Sequence, residues 1–197
     1  MHSSRAIERM SKPDDARALR SRQALRNGLL DLLGERPLHE ITIRDITGRA
    51  GVSYPVFFRR YGSKEELLAE VAAEEVRNLM ARTYPVLEAE GPDASLGAIC
   101  AHIQANRALW TSLLTTGAAP AMREEFARLS AEYGVTGPRA NPWLPVPLAS
   151  AFVSAGIFEI LVWWLAQPED YPVQNVIAFL NHLVVQPTIF AKEIKLV

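Results

Sequence analysis

Apolar residues recur through most of this 197-residue chain at the three- and four-residue spacings that place them on one face of a helix. The first such segment is predicted to open at Asp14 or Asp15 and to end near Gly34. Its buried stripe is predicted to consist of Leu25, Leu29, Leu32 and Leu33. Residues 1–15 are polar, contain Pro13 and show no periodicity, so we expect a flexible arm there.

Two short helices joined by a tight turn are predicted over residues 42–61. Thr42 and Asp45 have the spacing of a capping box for the first helix, and Gly51 can adopt the left-handed conformation that ends it. Ser53 is expected to cap the second helix, whose sequence is YPVFFRRY. The residues expected to face inward there are Phe57 and Tyr61. The outer surface is basic and aromatic, and this arrangement is typical of a DNA-reading unit.

A long fourth helix is predicted to start after Ser63, which forms an S-x-x-E capping box with Glu66. Its apolar residues recur as far as Pro85, near which we expect a kink or an end. About 20 helical residues span roughly 30 Å, so this helix can connect the N-terminal segment to the remainder without a flexible linker. Further helices are predicted over residues 96–105, 108–115, 122–133, 148–167 and 173–185, with a Pro- and Gly-rich loop at 134–147. The last helix is expected to end at Pro187.

The most apolar segment raises the question of a membrane span. Between Ala149 and Ala166, 18 residues contain one charged side chain, Glu159. A carboxylate in the middle of a span costs about 2.5–3.5 kcal/mol on insertion scales, and no basic cluster flanks the segment. We therefore expect a helix buried on nearly all sides, inside a helical bundle and against a partner chain, and no membrane partner.

Charge is unevenly distributed along the chain. Residues 1–64 contain 13 Lys and Arg against 7 Asp and Glu, whereas residues 65–197 contain 8 against 15. Chance segregation is the alternative, but a basic third on an acidic remainder is typical of a nucleic-acid-binding module on a soluble platform. The single cysteine, Cys100, excludes an internal disulfide and suits the cytoplasm. The first residues lack the apolar core of a signal peptide, so export is not expected.

Catalytic and metal sites are not indicated. The four histidines are scattered without H-x-x-E-H or H-E-x-x-H spacing, and Cys100 and His102, two apart on a helix, point to different faces. No G-x-S-x-G elbow, phosphate-binding P-loop or G-x-G-x-x-G motif occurs in the sequence. We therefore predict no enzyme activity, no metal and no cofactor.

The run GVSYPVFFRRYGSKEELL closely resembles the end of the DNA-binding domain of tetracycline-repressor (TetR) family regulators. The similarity extends from Leu25 to Leu68 and includes the segment TIRDITGRAGVS. Pro55, Phe58 and Arg60 depart from the residues usual in the family at their positions.

The resemblance implies an all-α fold. An N-terminal helix-turn-helix domain of three helices, at residues 16–65 after the arm, is joined by a long helix to a C-terminal helical domain at residues 66–197 for ligand binding and dimerisation. The implied function is a ligand-responsive transcriptional repressor that binds a palindromic operator in double-stranded DNA as a homodimer. A small apolar or amphipathic effector would release it. The alternative is a TetR-like sensor or co-regulator that acts through a protein partner rather than by reading DNA.

Residue by residue, the resemblance and the facing of the second short helix together assign DNA contacts. The residues expected at the DNA are Thr42, Arg44, Ser53, Tyr54, Pro55, Phe58, Arg59, Arg60 and Lys64. Those nearest the base edges are Tyr54, Pro55 and Phe58, and the cationic residues with Thr42 are expected to hold phosphates.

Bulky apolar residues on the C-terminal helices favour a small-molecule pocket, with simple core packing as the alternative for any one of them. The residues expected in the pocket are His102, Ile103, Trp110, Met122, Phe126, Trp143, Phe152, Glu159 and Trp163. By resemblance, the last two long helices lie where the family forms a dimer through a four-helix bundle. The interface is expected to include Ala151, Ala155, Phe179 and Leu183.

Overall fold

The computed structural model describes residues 4–115, 117–136 and 143–189, and every regular element in these ranges is helical. The prediction of an all-α fold is therefore confirmed. The chain divides into two compact units, Met1–Leu68 and Ala69–Val197. Sequence reasoning placed the domain boundary between residues 65 and 66.

The first unit contains three helices and the start of a fourth. They are α1 (Ser4–Leu33), α2 (Ile43–Ala50), α3 (Tyr54–Phe58) and the first residues of α4 (Lys64–Glu90), with a 3₁₀ turn at Leu38–Glu40. α1 packs against α2, and α2 against α3. The buried core of this unit consists of Leu25, Leu29, Leu32, Leu33, Leu38, Ile41, Ile46, Phe57, Tyr61, Leu67 and Leu68. All four leucines predicted for the stripe of α1 are in that core.

Helix α1 begins much earlier than the sequence suggested. It starts at Ser4, so residues 4–15, which were expected to form a flexible arm, are helical. The segment lacks an apolar stripe, but Ala6, Glu8 and Met10 have high intrinsic helix propensity, which periodicity does not register. Residues 1–3 of the expected arm lie outside the described part of the chain.

Local capping signals fix the turn between α2 and α3. The Thr42 hydroxyl accepts a hydrogen bond from the Asp45 amide, and the Asp45 carboxylate accepts one from the Thr42 amide at 2.9 Å, so the predicted capping box is present. Gly51 ends α2 with φ 65°, which costs glycine nothing sterically. Ser53 stands at the N-cap of α3 but makes no capping bond with its side chain, and α3 ends at Phe58 rather than Tyr61. The expected capping role of Ser53 was wrong.

In its described residues, the second unit contains the rest of α4 and six further α-helices. They are α5 (Pro92–Ala105), α6 (Arg107–Thr115), α7 (Ala119–Thr136), α8 (Val146–Leu165), α9 (Val173–Phe179) and α10 (Gln186–Ile189), with a π-helical segment at Leu180–Val185 between the last two. α8 packs against α6, α7 and the π-helical segment, and α5 packs against α9. The largest fully buried side chains of the second unit are Trp110, Trp164, Ile103, Leu113 and Met122.

Several helix ends differ from the sequence expectation. α4 continues through Pro85 to Glu90, and α7 continues to Thr136 into the segment expected to be a loop. The C-terminal helix does not stop at Pro187, which falls in the first turn of α10 directly after the π-helical segment, where a proline is tolerated. Residues 137–142 of the predicted loop and the tail from residue 190 lie outside the described part.

Helix α8 is the one helix in the described residues that is long and apolar enough to cross a membrane by length and composition. One of its faces packs in the core of the second unit, where Phe158, Leu161 and Trp164 are buried. Glu159 is exposed and forms an ion pair of 2.8 Å with Arg123 of α7. The helix is therefore a core element of the bundle on this face, whereas Leu148, Phe152 and Trp163 elsewhere on it are exposed.

A glycine sets the approach of α8 to the π-helical segment. A Cβ atom added at Gly156 would lie 2.7 Å from Cγ2 of Val184, closer than packed carbon atoms allow. Gly156 thus allows α8 and the π-helical segment of the same chain to approach each other closely.

Candidate functional site

An exposed aromatic pair forms the outer face of α3. Tyr54 and Phe58 are 45% and 47% exposed, and their rings meet edge to face with centroids 5.0 Å apart. Phe57 is fully buried beneath them and touches Phe58 with centroids 5.3 Å apart. The buried ring therefore fixes the exposed pair, and Pro55 presents a further exposed surface in the first turn. Large apolar groups held outward in this way are positioned to meet a partner.

Polar and cationic residues surround this aromatic face. Arg44, Ser53 and Arg59 are exposed. The Ser53 hydroxyl, which makes no capping bond, remains able to donate to an external acceptor. Arg60 donates to the Ala18 carbonyl at 3.3 Å. The face therefore combines neutral rings with guanidinium donors, as a surface that meets DNA requires.

Two residues that were predicted to contact phosphates make hydrogen bonds within the protein instead. The Thr42 hydroxyl donates to the Asp45 carboxylate at 2.8 Å. The hydrogen bond from the Thr42 amide and, to a smaller extent, this one from the hydroxyl hold the pKa of Asp45 below its usual value. The Lys64 ammonium donates to the carbonyls of Leu38 and Ile41 at 2.8 and 2.7 Å. Thr42 therefore acts as a capping residue, and Lys64 ties the segment before α2 to the start of α4 with two of its three hydrogens.

A cavity of about 300 Å³ lies within the second unit. Helices α4 to α8 and the C-terminal helical segments line it, mainly with aliphatic and aromatic side chains such as Leu79, Ile99, Phe126 and Phe158. Among the described residues, no Asp, Glu, Lys, Arg or His side chain contributes to the lining. This size and character are typical of a site for a small organic molecule.

The cavity coincides only partly with the predicted pocket. Trp110 and Phe126 line it, whereas Ile103 and Met122 are buried elsewhere in the core. The other predicted residues also lie outside the lining: His102, whose ring meets Trp110, half-buried Trp143, and the exposed Phe152, Glu159 and Trp163.

Two observations on the remaining described polar groups bear on catalytic and metal chemistry. Burial raises the pKa of the Cys100 thiol to about 12, so this sulfur stays protonated and a poor nucleophile at neutral pH. Within the described residues, no three His, Cys, Asp or Glu side chains are grouped to hold a metal ion.

Comparison with known proteins relates the segment around α2 and α3 to a known family. Residues 26–71 match the family described as bacterial regulatory proteins, tetR family. This match covers α2, α3 and the neighbouring parts of α1 and α4, and it does not extend to the remainder of the chain. Over 58 residues it is also 41% identical to YxbF of Bacillus subtilis (strain 168), an uncharacterized HTH-type transcriptional regulator. That alignment covers 29% of this chain and 15% of the length of YxbF.

Solved TetR-family structures share the fold across both units. A transcriptional regulator from Streptococcus agalactiae 2603V is 22% identical, with TM-score 0.61, and the match covers 88% of this chain and 98% of that one. Thermus thermophilus FadR, a transcriptional repressor solved with lauroyl-CoA, is 15% identical with TM-score 0.65, covering 87% and 97%. RolR in complex with resorcinol is 17% identical with TM-score 0.63, covering 86% and 90%. The first two of these proteins are described as a transcriptional regulator and a transcriptional repressor.

The chain leaves an apolar face exposed on its last helices. All four residues predicted for a dimer interface, Ala151, Ala155, Phe179 and Leu183, are exposed. Large apolar side chains extend this face: Leu148, Phe152 and Trp163 of α8 are exposed, and the Trp163 ring meets that of Phe179 at 5.8 Å. Two residues assigned to the pocket from the sequence, Phe152 and Trp163, therefore belong to this outer face.

Sequence reasoning missed most of the cavity lining on α4 and α7. Tyr84 and Ser130 line the cavity, and their hydroxyl oxygens lie 3.3 Å apart. Tyr84 also stacks on Tyr133, with centroids 4.4 Å apart. The adjacent polar pair Thr83 and Tyr84, inside an otherwise apolar stripe of α4, was the available signal.

Proposed function

We propose that this protein is a ligand-responsive transcriptional repressor of the TetR family that binds a palindromic operator as a homodimer in the cytoplasm. The observation that carries the proposal is the aromatic and cationic outer face of α3, held by buried Phe57 and by the capped turn before it. The cavity in the second unit supports the ligand-responsive part.

The second helix of the turn, α3, enters the major groove in this proposal. Tyr54, Pro55 and Phe58 face the base edges, where apolar groups favour contact with thymine methyl groups and readout of DNA shape. The phosphate contacts come from the exposed Arg44, Ser53 and Arg59, with Arg60 and the remaining ammonium hydrogen of Lys64 beside them.

The homodimer forms through the exposed apolar face of α8 and the C-terminal helical segments. Monomeric soluble proteins rarely expose large apolar patches, and the small residues Ala151 and Ala155 on this face permit close approach of helices. A two-fold axis through the face presents two copies of α3, and half-sites about 34–36 Å apart would then mirror the symmetry of the protein.

The effector acts through α4. This helix supplies Leu79, Thr83 and Tyr84 to the cavity, and it is the same helix that begins at Lys64 beside the DNA-binding segment. A ligand that favours one placement of α4 therefore changes operator affinity, with coupling free energies typically about 1–3 kcal/mol. The solved relatives FadR and RolR hold lauroyl-CoA and resorcinol, which supports an organic effector here.

Selection of random duplex DNA with the purified protein tests the proposal. A regulator enriches a palindrome, whereas a protein that keeps the fold but acts through another protein enriches none even at low salt, where non-specific affinity is highest. The exposed, largely apolar Tyr54 and Phe58 are the observation that favours this second candidate. Recovery of a palindrome excludes it.

Analytical ultracentrifugation tests the dimer separately. Leu183→Glu places a carboxylate on the proposed interface and is expected to shift the protein towards monomer, because an unpaired charge is costly to bury. Leu19→Glu is the matched control, since Leu19 and Leu183 are each 63% exposed. Equal sedimentation of the two variants as dimers would remove this face from the interface.

A further inference from the structure

The hydroxyl groups that line the cavity differ in whether a backbone carbonyl accepts their hydrogen. Thr83 donates to the Leu79 carbonyl and Ser95 to the Thr83 carbonyl, each at 3.0 Å. Thr188 donates to the Val184 carbonyl. These three hydroxyls are thus satisfied by the backbone and have no hydrogen left for a ligand.

The pair formed by Tyr84 and Ser130 is different. Their oxygens are 3.3 Å apart and share a single hydrogen bond, although the two groups carry two hydrogens. Within the described residues neither hydroxyl has another partner, so one hydrogen remains to donate. The stack on Tyr133 fixes the Tyr84 ring, and burial raises the pKa of its phenol to about 12, so this donor stays protonated and neutral.

The electrostatics of the cavity disfavour ions of either sign. No charged side chain in the described residues lines it. Glu125, next in the chain to the lining residue Phe126, is already paired with Arg77 and Arg128 at 3.0 and 2.9 Å. A carboxylate or an ammonium group that entered would lose its hydration without gaining a partner charge.

We propose that the effector is an uncharged, mainly apolar molecule with one accepting oxygen, a ketone, ester or ether, that takes its hydrogen bond from the Tyr84–Ser130 pair. This inference rests on the proposed ligand-responsive function and adds the chemical class and the specificity-determining residues. Ser150 also lines the cavity and has no hydrogen bond in the described structure, which makes it the competing donor.

Isothermal titration with matched probes at neutral pH tests the ligand class. The probes are 4-phenylbutan-2-one, its carboxylate analogue 3-phenylpropanoate, its ammonium analogue 4-phenylbutan-2-amine, and butylbenzene, which has no oxygen. The ketone is expected to bind at least about tenfold more tightly than either ion and several-fold more tightly than butylbenzene. Tighter binding of an ion, or no saturable binding of the ketone, overturns the proposal.

Variants test the residue assignment. In Tyr84→Phe/Ser130→Ala the ketone should lose its preference over butylbenzene, while butylbenzene itself binds as before. Tyr171→Phe, a tyrosine outside the cavity, should leave the preference intact. If Ser150→Ala removes the preference and the double variant keeps it, the assignment to the Tyr84–Ser130 pair is overturned.

The duplex selection separates this proposal from the function on which it rests, because it needs no ligand. If a palindrome is recovered but the ketone does not bind, the proposed effector class is overturned and the proposed regulatory function stands. Ketone binding without a palindrome overturns the regulator and leaves the cavity chemistry.

Discussion

Arg107 joins the start of α6 to the end of α8, and its removal is a sharp test of how the second unit is held together. Nη2 donates to the carbonyls of Trp164, Leu165 and Gln167 at 3.0, 3.2 and 2.8 Å. The guanidinium also lies 5.6 Å from the Trp164 ring centroid. These carbonyls end a helix and carry its partial negative charge, so a cation there is favourable.

The expected loss of stability in Arg107→Ala follows from the number of hydrogens that Nη2 can donate. Nη2 carries two hydrogens, shared among the three carbonyls, and a hydrogen bond to a charged group contributes about 1.5–3 kcal/mol. With partial solvent exposure taken into account, we expect Arg107→Ala to lower the free energy of unfolding of this unit by about 3 kcal/mol. At a urea m-value of about 2 kcal/mol/M, the unfolding midpoint falls by about 1.5 M.

Tryptophan fluorescence during urea unfolding measures the effect on the second unit alone, because all four tryptophans lie in it, at positions 110, 143, 163 and 164. Protein concentration must be equal in all samples, since dimerisation adds to apparent stability. Arg82→Ala, at an exposed arginine of α4, is the control and should change the free energy by less than about 0.5 kcal/mol. A midpoint for Arg107→Ala equal to that of the control would refute the capping role.

Three further changes have defined outcomes. Arg59→Ala should weaken binding to all DNA sequences and reduce the salt slope by about 0.9, whereas Arg82→Ala should change neither; an unchanged slope in gel-shift titrations removes Arg59 from the phosphates. Gly156→Ala should lower the free energy of unfolding of the second unit by about 1–3 kcal/mol, because the alanine Cβ would clash with Val184. Urea unfolding measures the change, and a stability equal to that of the wild type would show that the side chain of Val184 moves aside without cost. Bonds to two arginines lower the pKa of Glu125 from 4.5 to about 2, so its stabilisation is complete above pH 4.5 and is lost as the pH falls towards 2. The stability difference between wild type and Glu125→Gln should shrink over that range, and a constant difference contradicts the assignment.

The first unit could be predicted closely from sequence because its signals are local. The capping box of Thr42 and Asp45, the left-handed Gly51 and the buried Phe57 depend on residues a few positions apart, and each was found where expected. The start of α1 was missed because helix propensity without an apolar stripe gives no periodic signal. Lys64 was placed at the phosphates because nothing local shows that the Leu38 carbonyl lies within its reach.

The cavity could not be located in the same way. α8 is apolar on all sides, so periodicity does not tell its inner face from its outer face. Phe152 and Trp163 look equivalent to Phe158 and Trp164 in sequence, yet the first two are exposed and the last two buried. Which face is inward depends on α6, α7 and the π-helical segment, which come together only in the folded unit.

Binding of the recovered operator, compared with the same operator carrying an insertion of half a helical turn between its half-sites, tests the central claim most directly. A two-fold dimer that places one α3 in each of two successive major grooves requires both half-sites on one side of the duplex. We predict that the insertion reduces the affinity to that of a single half-site, and that a whole-turn insertion is less harmful. Equal affinity for the native and half-turn operators would contradict the account.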